Sequence, residues 1–223
     1  MFTPKAHIVV IDGPKNTGRK MLTFELALAL LYNAQRTAIV LAKDSPLRQV
    51  IQKRHTLLPQ LLSPIIIERE NFYDEVNKYN AVIIPEINMD DELALTASTY
   101  ITILPQSKQT AQKFASKKAY FNNIWELKKK IAATHGHSLN WIICENNFTH
   151  KISAAPSPEL EKISRIYGFR ISSPLNNRIS YKNNINGISA QDKTLPFLKK
   201  ELTYEDICAK REIAKLAEFI FNV

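Results

Sequence analysis

The 223 residues contain only five glycines, two cysteines and three methionines. Each shortage excludes something. Cys144 and Cys208 cannot form the disulfide framework of a small secreted domain, and both lie in apolar-patterned segments, so they read as buried thiols kept reduced. No CxxC or HxxxH spacing offers a metal cage. No apolar run approaches the roughly 18–20 residues that a membrane-spanning helix needs. The first residues lack a charged segment leading into an apolar one, so no secretory leader is expected and the expected location is the cytoplasm. No Gly/Ser/Pro-rich linker divides the chain, which predicts one domain over residues 1–223. With 45% hydrophobic residues, a chain of this length buries roughly 70% of its unfolded surface on folding. Acidic residues are also in deficit: 21 Asp and Glu stand against 30 Lys and Arg, a net charge of +9. That balance suits an anionic partner such as DNA, a nucleotide or an acidic membrane face, and equally serves solubility alone.

Two of the five glycines sit together, in His7-Ile8-Val9-Val10-Ile11-Asp12-Gly13-Pro14-Lys15-Asn16-Thr17-Gly18-Arg19-Lys20. An apolar strand pattern enters a loop, and a strongly apolar helix pattern over Met21 to Leu31 follows at once. This is the frame G-x-x-x-x-G-K-[ST], the Walker A phosphate-binding loop, in which backbone N–H groups and a helix N-terminus face an anion. Gly13, Lys15, Asn16, Thr17, Gly18, Arg19 and Lys20 are therefore the candidate nucleotide-binding residues. A tight strand–helix turn with no ligand would also use glycines at 13 and 18. Further apolar runs follow at Thr37–Leu41, Pro64–Ile67, Ala81–Ile84, Tyr100–Leu104, Trp141–Cys144 and Phe169–Ile171. Helical patterns lie among them at Phe72–Lys78, Ser107–Phe121, Ile124–Thr134, Pro158–Tyr167 and Tyr204–Phe221, the last with Thr203 as its N-cap and Asp206 three residues on. Alternation of this kind predicts an α/β fold, a doubly wound and mainly parallel sheet flanked by helices, with its ligand at the carboxyl ends of the strands.

The loop, the helix ending Ala29-Leu30-Leu31 and the segment Gln35-Arg36-Thr37-Ala38-Ile39-Val40 resemble the start of the ParA/MinD superfamily of P-loop ATPases. Trp125 with Lys128-Lys129-Lys130, then Leu139-Asn140-Trp141-Ile142-Ile143-Cys144-Glu145-Asn146-Asn147, Ile166-Tyr167-Gly168-Phe169-Arg170-Ile171 and Asn177-Arg178-Ile179-Ser180-Tyr181 are similar to the MipZ family of division-plane positioning ATPases within it. The resemblance implies a nucleotide-gated homodimer that sandwiches ATP and binds DNA non-specifically. It also implies work with ParB-like and FtsZ-like proteins in cell division and chromosome partitioning. It places Asn146 on the adenine side and makes Arg170 and Arg178 the leading DNA contacts.

Against that pattern the sequence departs at every position that handles the metal. Pro14 stands at the signature lysine, with Lys15 one place on. Arg19 replaces the Walker lysine, and Lys20 replaces the Ser or Thr that ligates Mg²⁺. Leu41 and Lys43 occupy the positions of the aspartates after the second strand, with Asp44 one step late. Pro85, followed by Glu86, stands at the end of the Walker B strand, and Asn147 replaces an arginine on the adenine side. A cation at position 20 opposes a divalent ion by on the order of several kcal/mol at the effective dielectric of a protein. The expectation is ATP without Mg²⁺, no hydrolysis, no metal ligands and no catalytic residues. Two alternatives stand beside it: an active atypical ATPase using Asp12, Asp44 or Glu86 on the metal, and a DNA- or partner-binding scaffold with no nucleotide. Lys117-Lys118 and Lys128-Lys129-Lys130 read either as a DNA track or as solvated helix faces. His135-Gly136-His137 reads better as a loop than as a metal site, Asp90-Asp91-Glu92 as a helix start, and Trp125 and Trp141 as core.

Overall fold

The computed structural model describes residues 5–85, 87–105, 118–148, 158–192 and 203–221. The strands are β1 (His7–Asp12), β2 (Thr37–Leu41), β3 (Ile65–Glu68), β4 (Ala81–Pro85), β5 (Thr99–Pro105), β6 (Asn140–Phe148), β7 (Arg170–Ile171) and β8 (Leu175–Asn176). The helices are α1 (Arg19–Tyr32), α2 (Pro46–Leu57), α3 (Phe72–Glu75), α4 (Lys118–His135), α5 (Pro158–Tyr167), α6 (Ile179–Lys182) and α7 (Tyr204–Phe221). The sheet order is β3-β2-β4-β1-β5-β6-β7, with β8 also on β6, and every pairing among the described strands is parallel.

Parallel strands joined by helical crossovers are covered on both faces, and the side chains of β1 show it. Val9 and Ile11 point into one apolar layer with α1, α2 and α7. Ile8 and Val10 point into the other, with Phe72, Val76 and the α4 stripe Phe121, Ile124, Leu127 and Ile131. The β1 register places Asp12 beside Thr102 of β5, and Ile11 beside Pro85 of β4. The loop after β1 therefore leaves from the middle of the sheet, where the chain order reverses and doubly wound folds open a crevice.

Several sequence expectations change in detail. The helix after the loop begins at Arg19, not Met21, which puts both cations in its first turn. The 72–78 pattern divides into a short α-helical turn and a 3₁₀ turn. A single helix runs from Lys118 to His135, continuous through Asn122 and Asn123. Residues 107–117 of the expected preceding helix lie outside the described residues. Trp141 is core, but Trp125 is 37% exposed with Lys128 lying 5.6 Å from its ring centroid. Cys144 is buried, and that burial pushes its thiol up to about 12, whereas Cys208 is only half-buried. The α7 cap forms as expected. Asp206 N–H donates to Thr203 Oγ1 (3.2 Å), and Thr203 N–H donates back to Asp206 Oδ2 (3.2 Å).

No periodicity signalled the polar knot beneath α1. Arg54 and Asp192 have fully buried side chains and pair through Nη1 and Nη2 of the guanidinium, at 2.5 and 2.7 Å. Tyr32 Oη donates to the same carboxylate (2.7 Å). Beside it Glu25, also fully buried, accepts from Ser189 Oγ (2.8 Å) and Ala190 N–H (3.0 Å). Desolvation raises the Glu25 pKa to about 7, against the opposing pull of those hydrogen bonds, and the Asp192 charge adds to the rise. The folded chain thus keeps this proton up to about pH 7, while the unfolded chain releases it near 4.5. Stability falls as pH rises across that window, by about 3 kcal/mol at full effect. Burial lowers the His7 pKa to about 4, which acts in the opposite sense between pH 5 and 8, so the Glu25 part is isolated by comparison: the Tm of the wild type relative to Glu25→Gln is expected to be higher at pH 5 than at pH 8.

Candidate phosphate-loop site

The loop between β1 and α1 is shaped by close approaches that only glycine allows. At Gly13, φ is +151°, and a Cβ would lie 2.4 Å from the Ile103 carbonyl oxygen of β5. At Gly18, the N-cap of α1, φ is +95°, and a Cβ would lie 2.2 Å from Asn146 Nδ2 of β6. Asn16 takes a left-handed φ of +64°, a conformation asparagine tolerates. Asn146 Nδ2 donates to the Thr17 carbonyl (2.7 Å), and Thr17 Oγ1 donates to the Pro14 carbonyl (2.9 Å). The loop is thus pressed against β5 and tied to β6. The Asn146 amide, expected on the adenine side, serves here as that tie.

Lys15, Asn16, Gly18, Arg19 and Lys20 line an open cleft of about 570 Å³. Lys15, Asn16 and Lys20 are exposed, Thr17 is buried beneath them, and Arg19 is half-buried. Cations in the first turn of a helix oppose the helix dipole, and α1 has no acidic residue there to offset them. An anion at this turn relieves both. Within the protein, Asp12 supplies part of that relief: its Oδ1 lies 3.5 Å from Arg19 Nη1. The same carboxylate accepts on Oδ2 from Tyr100 Oη (2.9 Å) and Tyr120 Oη (3.0 Å). Burial, followed by neighbouring charge, pushes both tyrosine hydroxyls well above their ordinary range, so they stay protonated donors. The sequence pattern gave Asp12 only as a metal-ligand alternative. The tyrosines that hold it come from β5 and α4 and carried no local signal.

The residues present do not fit Mg²⁺. Lys20 offers an ammonium where the metal needs an oxygen. The threonine hydroxyls of the loop and of α1, Thr17 and Thr23, donate to the carbonyls of Pro14 and Arg19. At the end of β2, Leu41 is buried and Lys43 pairs with Glu70 at 3.3 Å. That strand end is closed instead by Arg48, which donates to the Leu41 carbonyl (3.2 Å) and forks onto Glu68 (2.7 and 2.9 Å). Asp44 is exposed. Pro85 closes β4, and Glu86 lies outside the described residues.

Of the two arginines expected to meet DNA, Arg178 is buried and Arg170 is half-buried, and both have internal partners. Arg178 is 5% exposed and pairs with Glu205 (2.8 Å) and Glu212 (2.6 Å) of α7. Arg170 donates to Asn140 Oδ1 (3.1 Å) and to the Phe219 carbonyl (2.8 Å), and its guanidinium lies 4.3 Å from the Phe219 ring centroid. Both fasten α7 to the sheet, because a guanidinium fork satisfies several acceptors at once. Of the lysine runs, Lys128 donates to the Gly168 carbonyl (3.2 Å) and Lys129 pairs with Glu126 (2.6 Å). Asp91 caps the 3₁₀ turn that follows it, accepting from Leu93 N–H (3.0 Å). His137 lies 3.3 Å from the Ala97 carbonyl.

The strand order, the glycine-shaped loop and the Asn146 tie are features a family comparison can decide. The family model of the ATPase MipZ matches residues 101–220, just over half of the chain. The chain belongs to the MipZ family. The matched stretch starts at β5, after the phosphate loop. No curated protein matches the sequence. Among solved structures, the cell division protein MinD of Aquifex aeolicus superposes with a TM-score of 0.61 at 12% identity, over 98% of each chain. McdA of Cyanothece in complex with ATP gives 0.60 at 12% identity, over 99% of this chain and 98% of that one. The septum site-determining protein MinD of Pyrococcus horikoshii OT3, complexed with Mg-ADP, gives 0.59 at 13% identity, over 96% of each. At such identities these likenesses show the fold, that of the ParA/MinD P-loop NTPases. Among the described residues, no helix is long and apolar enough to cross a membrane.

The loop geometry yields a test of its own. Gly13→Ala is expected to lower the urea unfolding midpoint by more than about 1 kcal/mol equivalent, because a backbone oxygen in β5 cannot step aside. Gly136→Ala has nothing within 4 Å of its Cβ and differs only in the strain of φ +70°, so its cost is expected to be smaller.

Proposed function

We propose that this chain is a ParA-like positioning protein whose phosphate loop takes ATP without Mg²⁺ and does not hydrolyse it. The observation that carries the reading is the first turn of α1. Arg19 and Lys20 stand side by side at the positive end of a helix, lining a cleft with Lys15, and among the described residues no group of His, Cys, Asp and Glu is placed to hold a metal ion. Backbone N–H groups, the helix end and three cations together favour a polyphosphate, and the same cations disfavour a metal. The Arg19 guanidinium pairs readily with phosphate oxygens, but it is planar and bulky where transfer of the terminal phosphoryl group wants a compact ammonium.

Membership of the MipZ family supports a role in placing the division site, and the MinD and McdA relatives in fold support the positioning class more broadly. ParB-like and FtsZ-like proteins, a homodimer and non-specific DNA are the partners this reading carries with it. Since Arg170 and Arg178 fasten α7, DNA contact in this reading falls to other basic residues of a chain with net charge +9.

Isothermal titration with ATP in EDTA and in excess Mg²⁺, paired with a phosphate-release assay, tests the proposal. Binding is expected in EDTA, weakened by Mg²⁺, with no phosphate released above the no-protein rate. Stoichiometric binding that requires Mg²⁺, with turnover, would instead establish the active atypical ATPase. No binding in either buffer, together with salt-sensitive DNA binding, would establish the scaffold.

A further inference from the structure

We propose that Asp12 and Arg19 form a latch on the phosphate loop: the Asp12 carboxylate holds Arg19 when no anion is bound, and a polyphosphate enters by drawing the guanidinium away from it. The inference rests on reading the loop as an anion site and concerns what sets its affinity.

Asp12 is the last residue of β1 and precedes the first loop glycine. Its two oxygens have different partners. Oδ2 accepts two phenolic hydroxyls, at 2.9 and 3.0 Å, from Tyr100 and Tyr120. Oδ1 faces Arg19 Nη1 at 3.5 Å, a looser contact than either. The carboxylate is therefore fixed by the tyrosines and not by the arginine. The tyrosines are fixed in turn. Tyr120 Oη lies 3.1 Å from Thr102 Oγ1, which accepts from Trp141 Nε1 (3.1 Å) in the core. Asp12 is also short, while Arg19 carries its charge on a long flexible stem.

These facts say which partner moves. The aspartate stays with its two hydroxyl donors, so its charge remains compensated after the guanidinium leaves. Side-chain exposures of 18% for Arg19 and 16% for Asp12 place the pair in a partly dry environment, where attraction is stronger than at an open surface. An arriving anion must compete with that attraction and with the repulsion of Asp12 itself. Asp12 thereby sets a threshold: anions with several charged oxygens pass it, and a single orthophosphate does not. An arginine at this position, in place of a lysine, gives the latch its reach.

The test measures binding of inorganic tripolyphosphate and of orthophosphate, in EDTA, to the whole chain. Asp12→Asn is expected to bind tripolyphosphate about tenfold more tightly than the wild type and to gain measurable orthophosphate binding. Arg19→Ala is expected to weaken binding, and Asp12→Asn is expected to tighten binding much less in the Arg19→Ala background than in the wild type, because without the guanidinium only the direct repulsion of Asp12 is left to remove. Asp12→Asn within twofold of the wild type would overturn the latch while leaving the anion site standing. Failure of both the folded wild type and folded Asp12→Asn to bind either anion would overturn the site and the latch together. Should Asp12→Asn not fold, the wild type still decides. The Arg19 side-chain NMR resonance is expected to shift as tripolyphosphate is added, and binding without that shift would overturn the proposal.

Discussion

The phosphate loop of this protein is held by contact with two strands that follow it much later in the chain. Gly13 passes so close to the Ile103 carbonyl that no side chain fits between them, and Gly18 passes equally close to the amide of Asn146. Neighbouring parallel strands bring β5 and β6 to these positions. The loop shape, the direction of α1 and the placement of Arg19 and Lys20 all depend on that packing. A parallel sheet positions its strand ends rigidly because each strand is covered on both faces, and the loops inherit that rigidity.

On this frame the charges have been rearranged. Where the family resemblance implies carboxylates and a hydroxyl around a metal, there are cations, a buried leucine and a proline. The carboxylate that does sit at the loop, Asp12, is held by two tyrosines and faces Arg19. Arg48 and Glu68 close the neighbouring strand end. Each of these is an internal ion pair or hydrogen bond. The arginines of the carboxyl-terminal half follow the same logic, since Arg170 and Arg178 bind α7 to the sheet.

The strands were legible because both faces of a parallel sheet are apolar, which leaves short runs such as Ile8–Ile11 and Ala81–Ile84 that nothing else explains. The α7 helix was legible from its cap and stripe. Helix α2 was not, because only Leu47, Ile51 and Arg54 are buried and its mean character is polar. Strand β8 and helix α6 were too short to carry a period. Trp125 reads as core by residue type alone, but its place on α4 faces outward, a fact settled by which helix face meets the sheet. The buried knot of Glu25, Arg54 and Asp192 joins residues up to 167 positions apart, beyond the reach of any local pattern.

The sequence by itself determined the α/β class, the glycine frame at residues 13 and 18, and the residue types, cations, a leucine and a proline, at the positions where the family resemblance implies metal-handling side chains. These are statements about residue type and local spacing, and residue type needs no coordinates. Tertiary structure alone decided what those side chains touch. It gave Asp12 to two tyrosines, Asn146 to the loop backbone, and Arg170 and Arg178 to α7. Partners of this kind are chosen by which strands lie side by side, and strand order is fixed by long-range packing, which no stretch of neighbouring residues encodes.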